Sequence, residues 1–154
     1  LENQILHGVD IIQIFDTHAH NMDNFLYEVF FTKEIKKICK HIKEKHPNVP
    51  ISLFSKSSQV LHKELYKYID CISFSSHINM KQYLDIIPSN ICFQGNLDPM
   101  RLVVGGESMV EATNNILNDM INKDFVFNLG HGILQQTPVE NVQLLVETVK
   151  KFKR

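Results

Sequence analysis

The sequence predicts an α/β fold in which helices cover a parallel sheet, and three observations support this prediction. Five short apolar runs alternate with five segments of helical periodicity along the 154 residues, which is the pattern of repeated strand and helix units. Runs such as VDIIQIF at 9–15 are nearly continuous in apolar residues and rich in β-branched ones, as expected for strands buried on both faces. Polar and ionisable residues follow the runs, at the strand ends where such sheets carry functional groups.

The predicted strands, in chain order, are 9–15, 50–54, 70–75, 91–95 and 125–130. The predicted helices are 23–45, 57–69, 79–87, 107–122 and 138–151. In the first of these helices, Ile35, Ile38 and Ile42 recur at helical spacing between Lys and Glu residues, which indicates one buried face. HPNVP at 46–50 ends this helix, because proline lacks the backbone donor and disfavours a helical residue before it.

Three short motifs predict where elements begin. Ser57 or Ser58 is a suitable cap for the helix at 57–69. TPVE at 137–140 offers a Thr cap, a Pro at the first helical position and an acidic first turn. Asp98-Pro99 is expected to start a rigid turn after the fourth strand.

Length and connectivity leave two arrangements for the five units. The chain fits one domain, but a closed (β/α)₈ barrel typically needs about 250 residues. Five units would therefore form either an open doubly wound sheet or the later part of a barrel, with two bare strand edges. The first residues, LENQILHGVD, are typical of a helix that ends before a strand. We expect the chain to begin inside a longer protein.

Composition and charge exclude some classes of partner. Hydrophobic residues make up 44%, charged residues 21%, and the formal net charge is −1, so nothing in the bulk composition favours nucleic acid or membrane binding. Of the 16 basic residues only Arg101 and Arg154 are Arg. Since bidentate clamps for carboxylate and phosphate are normally built from Arg, the chain carries few of them.

The cysteines Cys39, Cys71 and Cys92 are odd in number and widely spaced, which predicts neither a disulfide framework nor a zinc knuckle. We expect a reducing compartment, the cytoplasm, with a plastid-like organelle as the alternative.

DTHAH at 16–20 is one candidate metal motif. In a metal site His18 and His20 would be ligands, completed by His77, Asp98 or His131, since imidazole and carboxylate suit divalent metals. Alternatively, one His lies at a pocket rim and the other faces solvent or caps a turn.

Two further strand ends, GNLDP at 95–99 and NLGHGIL at 128–134, carry candidate functional residues. Gly95 permits a positive φ or a close backbone approach. His131 lies between two glycines directly after a strand, which leaves an imidazole exposed where a ligand can approach. We therefore interpret His131 as functional and GNLDP as at least partly a structural turn.

GNLDP and FNLGHGIL, followed by TPVENV at 137–142, resemble the uroporphyrinogen decarboxylase family of haem biosynthesis. QIFDTHAHNM at 13–22 and HPNVPISLFSK at 46–56 match that family in order and spacing, so the resemblance covers essentially the whole chain. It implies that residues 1–154 are the C-terminal part, about five β/α units, of one (β/α)₈ TIM barrel domain whose N-terminal part is absent. It also implies that DTHAH binds no metal.

The resemblance implies a carboxy-lyase that removes four acetate carboxyl groups from uroporphyrinogen III to give coproporphyrinogen III, without metal or organic cofactor. Phe15 would pack against the macrocycle, the Thr17 hydroxyl would bind a substrate carboxylate, and His131 would be the active-site histidine. The family usually has Ser where this chain has Thr17, and commonly an acidic residue and Trp where it has Ser75 and Ser76. The family's catalytic Asp and Arg clamps fall outside this chain, so these residues alone are expected to be inactive. A homodimer is implied for the full-length protein, with no nucleic-acid or membrane partner.

Three alternatives stay open at this point. One is a metal-dependent barrel hydrolase that uses DTHAH. Another is a zinc-dependent methyltransferase of the same barrel superfamily, although such sites need thiolates at strand ends, whereas Cys71 and Cys92 come early in their predicted strands. The third is a chain that serves only as an assembly half, without catalysis of its own.

Overall fold

The computed structural model describes residues 1–18, 21–56 and 63–153. Five parallel strands form one sheet in the order β1-β2-β3-β4-β5. The strands are β1 (Ile12–Asp16), β2 (Ile51–Ser55), β3 (Cys71–Phe74), β4 (Cys92–Leu97) and β5 (Phe125–Leu129). The α-helices are α1 (Glu2–Leu6), α2 (Asn24–Tyr27), α3 (Lys33–Lys45), α4 (Pro99–Val104), α5 (Gly106–Asp119) and α6 (Val139–Lys151). The predicted α/β class and the five parallel strands are confirmed.

The chain divides into two compact units. The first comprises Leu1–Ser73 and Ile87–Cys92, and the second Phe74–Ile86 and Phe93–Arg154. No helix among the described residues is both long enough and apolar enough to span a bilayer.

In the first unit, β1 and β2 pair in register from Ile12 opposite Ile51 to Asp16 opposite Ser55. Every residue of β2 is buried, so Ile51, Leu53 and Phe54 pack on both faces of the strand and Ser52 and Ser55 are buried with them. The amphipathic helix α3 buries Ile35, Cys39 and Ile42, as its periodicity predicts.

In the second unit, β4 and β5 pair in register from Phe93 opposite Phe125 to Leu97 opposite Leu129. Its core joins β4 to three helices: Leu97 packs with Leu102 of α4, Met109 of α5 and Leu145 of α6. The hydrophobic core therefore packs against the carboxyl ends of β4 and β5, at Leu97 and Leu129.

Two predicted helices differ from the observed elements. The predicted helix at 23–45 is interrupted by a π-helical turn at Glu28–Thr32 between α2 and α3. The predicted helix at 79–87 is only a 3₁₀ turn, Met80–Tyr83, which the Asn79 side chain caps by accepting from the Lys81 N–H. Pro88 follows closely, and since proline disfavours a helical residue before it, the segment has little length in which to build a helix.

The helix predicted at 57–69 is described only in part. Its described portion contains a 3₁₀ helix, Lys63–Lys67, whereas the candidate caps Ser57 and Ser58 lie outside the described residues.

Two predicted boundaries were wrong. Asp98-Pro99 starts α4 and not a turn: the Asp98 carboxylate accepts from the Met100 N–H at 2.8 Å, and Pro99 is the first helical residue. At the start of α6 the cap position is Pro138, with no side-chain hydrogen bond. The Thr137 hydroxyl oxygen is buried without a hydrogen-bond partner among the described residues.

Candidate functional site

The carboxyl end of β1 carries one structural residue, Asp16, and two candidate ligand-binding residues, Phe15 and Thr17. Asp16 is buried and accepts a hydrogen bond of 2.7 Å from the Ser55 hydroxyl, so its carboxylate ties β1 to β2. Phe15, one residue earlier, is 69% exposed, and its ring lies 5.9 Å from that of Phe54. Thr17 is half-buried. Strand alternation thus buries Asp16 and leaves the Phe15 ring accessible.

The end of β4 holds the loop that follows β3. Gly95 has φ +133°, and a Cβ there would lie 3.0 Å from the Phe74 carbonyl oxygen, so both properties predicted for this glycine are present. The buried Asn96 amide donates to the Ser75 carbonyl at 2.9 Å and to the Ile78 carbonyl at 2.6 Å. These two bonds fix the loop against β4.

The end of β5 presents His131 on a constrained loop. Gly130 N–H donates to the Leu97 carbonyl at 2.8 Å, and a Cβ on Gly130 would overlap the Ser76 backbone, 2.6 Å from its Cα. A Cβ on Gly132 would meet nothing within 4 Å. The His131 side chain between them is exposed. One glycine therefore anchors the loop and the other leaves open space beside the imidazole.

Asn141 has a structural role that the sequence reasoning missed. Its side-chain amide donates to the carbonyls of Leu102 and Val103, at 2.9 and 3.0 Å, and so satisfies the end of α4. Gly105 has φ +70°, and a Cβ there would overlap the Asn141 amide. The glycine pair Gly105-Gly106 indicates from the sequence that a helix ends there, but only the fold shows that Asn141 packs against this end.

The structure brings GNLDP and NLGHG together within the second unit, through the Gly130 bond to Leu97. Phe15 and Thr17 belong to the first unit, where β1 and β2 hold them. Thr17 and His131 thus follow strands, and Phe15 is the penultimate residue of β1. Their roles toward a substrate stay predictions.

Metal-ligating side chains do not cluster in the described part of the chain: no three His, Cys, Asp or Glu residues there are placed to hold one ion. His18 is exposed, and His20 lies outside the described residues.

The thiols are equally unsuited to serve as thiolate ligands. Burial raises the pKa of Cys39 to about 11, and a hydrogen bond with Cys92, together with burial, raises the pKa of Cys71. Cys71 and Cys92 open β3 and β4, so neither thiol lies at the carboxyl end of its strand, where the methyltransferase alternative needs a thiolate.

A solved structure shares this fold. The methyltransferase from Methanosarcina mazei superposes with a TM-score of 0.78 over 96% of this chain and 44% of its own, at 23% sequence identity. That identity shows likeness of fold alone, the strand and helix arrangement of a TIM-barrel-like protein.

Relatives found by sequence identify the family more specifically than the solved structure does. Uroporphyrinogen decarboxylases of Rickettsia bellii and Orientia tsutsugamushi are each 36% identical, over 154 and 155 residues respectively, which in both cases is 99% of this chain and 45% of the relative. The chain thus spans less than half the length of these relatives. The model of the family "Uroporphyrinogen decarboxylase (URO-D)" matches residues 1–152. Since that match takes in every strand and each of the three candidate residues, the chain belongs to the uroporphyrinogen decarboxylase family.

Proposed function

We propose that this chain is the C-terminal part of a uroporphyrinogen decarboxylase, which converts uroporphyrinogen III to coproporphyrinogen III by removing four acetate carboxyl groups. The observation that carries the proposal is the exposed imidazole of His131, held at the end of β5 by Gly130. The family match over residues 1–152 supports the proposed reaction.

In this proposal the residues at the end of β1, Phe15 and Thr17, contact the substrate. Phe15 offers an accessible aromatic face, and aromatic rings favour stacked or edge contacts with another π system. The Thr17 hydroxyl donates to a substrate carboxylate, because a hydroxyl carries one donor and a carboxylate only acceptors. Both groups bind and orient the porphyrinogen without taking part in bond breaking.

His131 serves the reaction through hydrogen bonding or proton transfer. A pyrrole acetate loses carbon dioxide when the ring is protonated and can accept the released electron pair. An imidazole donates or accepts hydrogen bonds and changes its charge near neutral pH. His131 therefore binds a pyrrole N–H or a substrate carboxylate, or relays the proton. In this proposal the reaction uses no metal or organic cofactor.

These 154 residues do not catalyse the reaction by themselves in our proposal. The substrate carries eight carboxylates, whose recognition favours Arg forks, and the chain has only Arg101 and Arg154. The remaining groups come from residues that correspond to the other half of the relatives' length. We propose a cytoplasmic homodimer for the whole enzyme.

The test joins the amino-terminal portion of the Rickettsia bellii relative to this chain in place of its own matching segment. We expect the joined polypeptide to form coproporphyrinogen, measured by fluorescence chromatography after oxidation, and this chain alone to form none. Treatment with a strong chelator should leave the rate unchanged. A folded joined polypeptide with no activity would favour a purely structural role, and a rate lost on chelation would favour a metal enzyme.

A further inference from the structure

The second unit contains a cleft of about 400 Å³ that the proposed decarboxylation does not use. This volume lies within the range of about 300 to 1,000 Å³ typical of small-molecule sites. Its walls are the loop after β3, the end of β4 with the first turn of α4, and one face of α5. We call it the α5 cleft.

The α5 cleft lies beside the connection from β3 to β4. A 3₁₀ turn, Met80–Tyr83, replaces a full crossover helix. One face of α5, carrying Ala112 and Ile116, lines the cleft together with Met120, which directly follows the helix. Met80 and Met120 are buried, so part of the lining is apolar.

Polar side chains fix the walls of the α5 cleft before any ligand binds. The two hydrogen bonds from Asn96 hold the loop after β3. Asp98 caps α4 and so sets the position of Arg101, three residues later. A wall that is already ordered loses little conformational freedom on binding, which favours affinity.

Arg101 is the cation in the α5 cleft that is least engaged. Its guanidinium hydrogen-bonds within the described residues only to the Ser108 carbonyl at 3.4 Å and the Ser108 hydroxyl at 3.3 Å, both longer than the usual range of about 2.7 to 3.2 Å. Most of its donors therefore remain for a ligand, and its planar fork matches a carboxylate.

The charges around Arg101 favour a monoanion over a dianion. At the far end of the α5 cleft, Lys81 Nζ lies 2.7 Å from an Asp119 carboxylate oxygen, so this pair is neutral. The half-buried Asp98 lies one turn before Arg101. The four charged groups of the cleft sum to zero, and a second negative charge on a ligand would meet these carboxylates.

We propose that the α5 cleft binds a short amphipathic carboxylate. The carboxylate pairs with Arg101, and the hydrocarbon chain lies along Ala112 and Ile116 toward Met120. The distance along α5 from Ala112 to Asp119 is about 10 Å at the helical rise of about 1.5 Å per residue. A chain of medium length fills it.

The test titrates the purified chain with octanoate, below the concentration at which octanoate self-associates, by calorimetry and by backbone amide NMR. We expect a dissociation constant of about 1 mM or tighter, with shifts at Lys81, Arg101 and Ile116. Octanol, which lacks the charge, and octyl phosphate, which carries more of it, should each bind about tenfold more weakly.

Arg101→Gln should weaken octanoate binding about tenfold or more, because a charge-assisted hydrogen bond is lost. The matched control Lys150→Gln removes an exposed cation of α6 that does not line the cleft, and it should bind as the wild type does. Melting temperature confirms that both variants fold. The proposal is overturned if the folded chain does not bind octanoate at 10 mM, if Arg101→Gln binds equally well, or if octyl phosphate binds more tightly.

Discussion

Gly130 and Gly132 flank the same histidine for different physical reasons. A side chain at Gly130 would enter the Ser76 backbone, whereas one at Gly132 would enter open space. From the sequence both appear as glycines beside a functional His. Only the position of Ser76, after β3, shows that Gly130 is required for packing.

Gly130→Ala is therefore expected to destabilise the protein by about 1 to 3 kcal/mol, since the added methyl group forces the backbone of β5 away from Ser76. Gly132→Ala is the matched control and should change stability by about 0.5 kcal/mol or less. Urea unfolding of both variants measures the difference. Equal stabilities would show that the Gly130 contact with Ser76 is not tight in solution.

Cys39 is expected to make the protein sensitive to alkaline pH. Its side chain is 0% exposed, and burial raises its pKa to about 11 from the ordinary value of 9.0 that holds in the unfolded chain. Between these values the unfolded state releases the proton first, so stability present below pH 8 is lost as the pH rises toward 11.

The expected loss in unfolding free energy between pH 7.5 and 10.5 is on the order of 2 kcal/mol from this residue. Urea unfolding at both pH values measures it. Cys39→Ala should lower stability at pH 7.5 but show a smaller further loss at pH 10.5. An unchanged pH dependence in this variant would assign the effect to other groups.

At the level of elements, the structure explains why the β-strands were predictable and the short helices were not. β2 is buried along its whole length, whereas β5 is only partly buried and Val126 is 48% exposed, yet both strands carry a mostly apolar run, ISLF and FVF, that predicts a strand. Helix α4 has one turn and a half, so it lacks a periodic pattern, and Asp98-Pro99 serves equally well as a turn or as a cap followed by a first helical residue. Its boundary depends on packing.

Thr137 lacks the capping role that the sequence predicts for it, and Asn141 has a capping role that the sequence does not predict. The Thr137 hydroxyl, predicted to cap α6, is buried with no hydrogen-bond partner in the described part of the chain, whereas the Asn141 amide donates to the carbonyls of Leu102 and Val103 at the end of α4. The role of Asn141 is not local, because the carbonyls that it binds are about 40 positions away in the sequence.

Asn141→Ala is expected to cost about 1 to 3 kcal/mol of unfolding free energy, since two carbonyls at the end of α4 lose their donor. Thr137→Val keeps the shape and removes a buried hydroxyl that none of the described residues pairs with, so it should be neutral or slightly stabilising. Thermal unfolding compares the two. A destabilising Thr137→Val would mean that the hydroxyl does have a partner in solution.

At the scale of the whole molecule, the alternation of apolar runs and amphipathic segments predicts the parallel sheet, because each strand needs a crossover before its parallel neighbour. The candidate site stays a prediction, and the structure gives only the positions of its residues: Phe15 is the penultimate residue of β1, Thr17 directly follows β1, and His131 lies two residues after β5. The α5 cleft was not predictable, because the sequence predicts a helix where the structure has a 3₁₀ turn, Met80–Tyr83, beside the cleft.

The central claim is that His131 contacts the porphyrinogen and does not support the fold. Its most direct test uses the joined polypeptide described above, in which the rate of coproporphyrinogen formation and the melting temperature are measured together for His131→Gln. The control is His7→Gln, an exposed histidine that precedes β1 at the amino end of that strand. We predict that His131→Gln lowers turnover by about 10- to 10⁴-fold with a melting temperature close to wild type, and that His7→Gln changes neither. A His131→Gln protein that keeps its full rate, or that melts far below wild type, would contradict the claim.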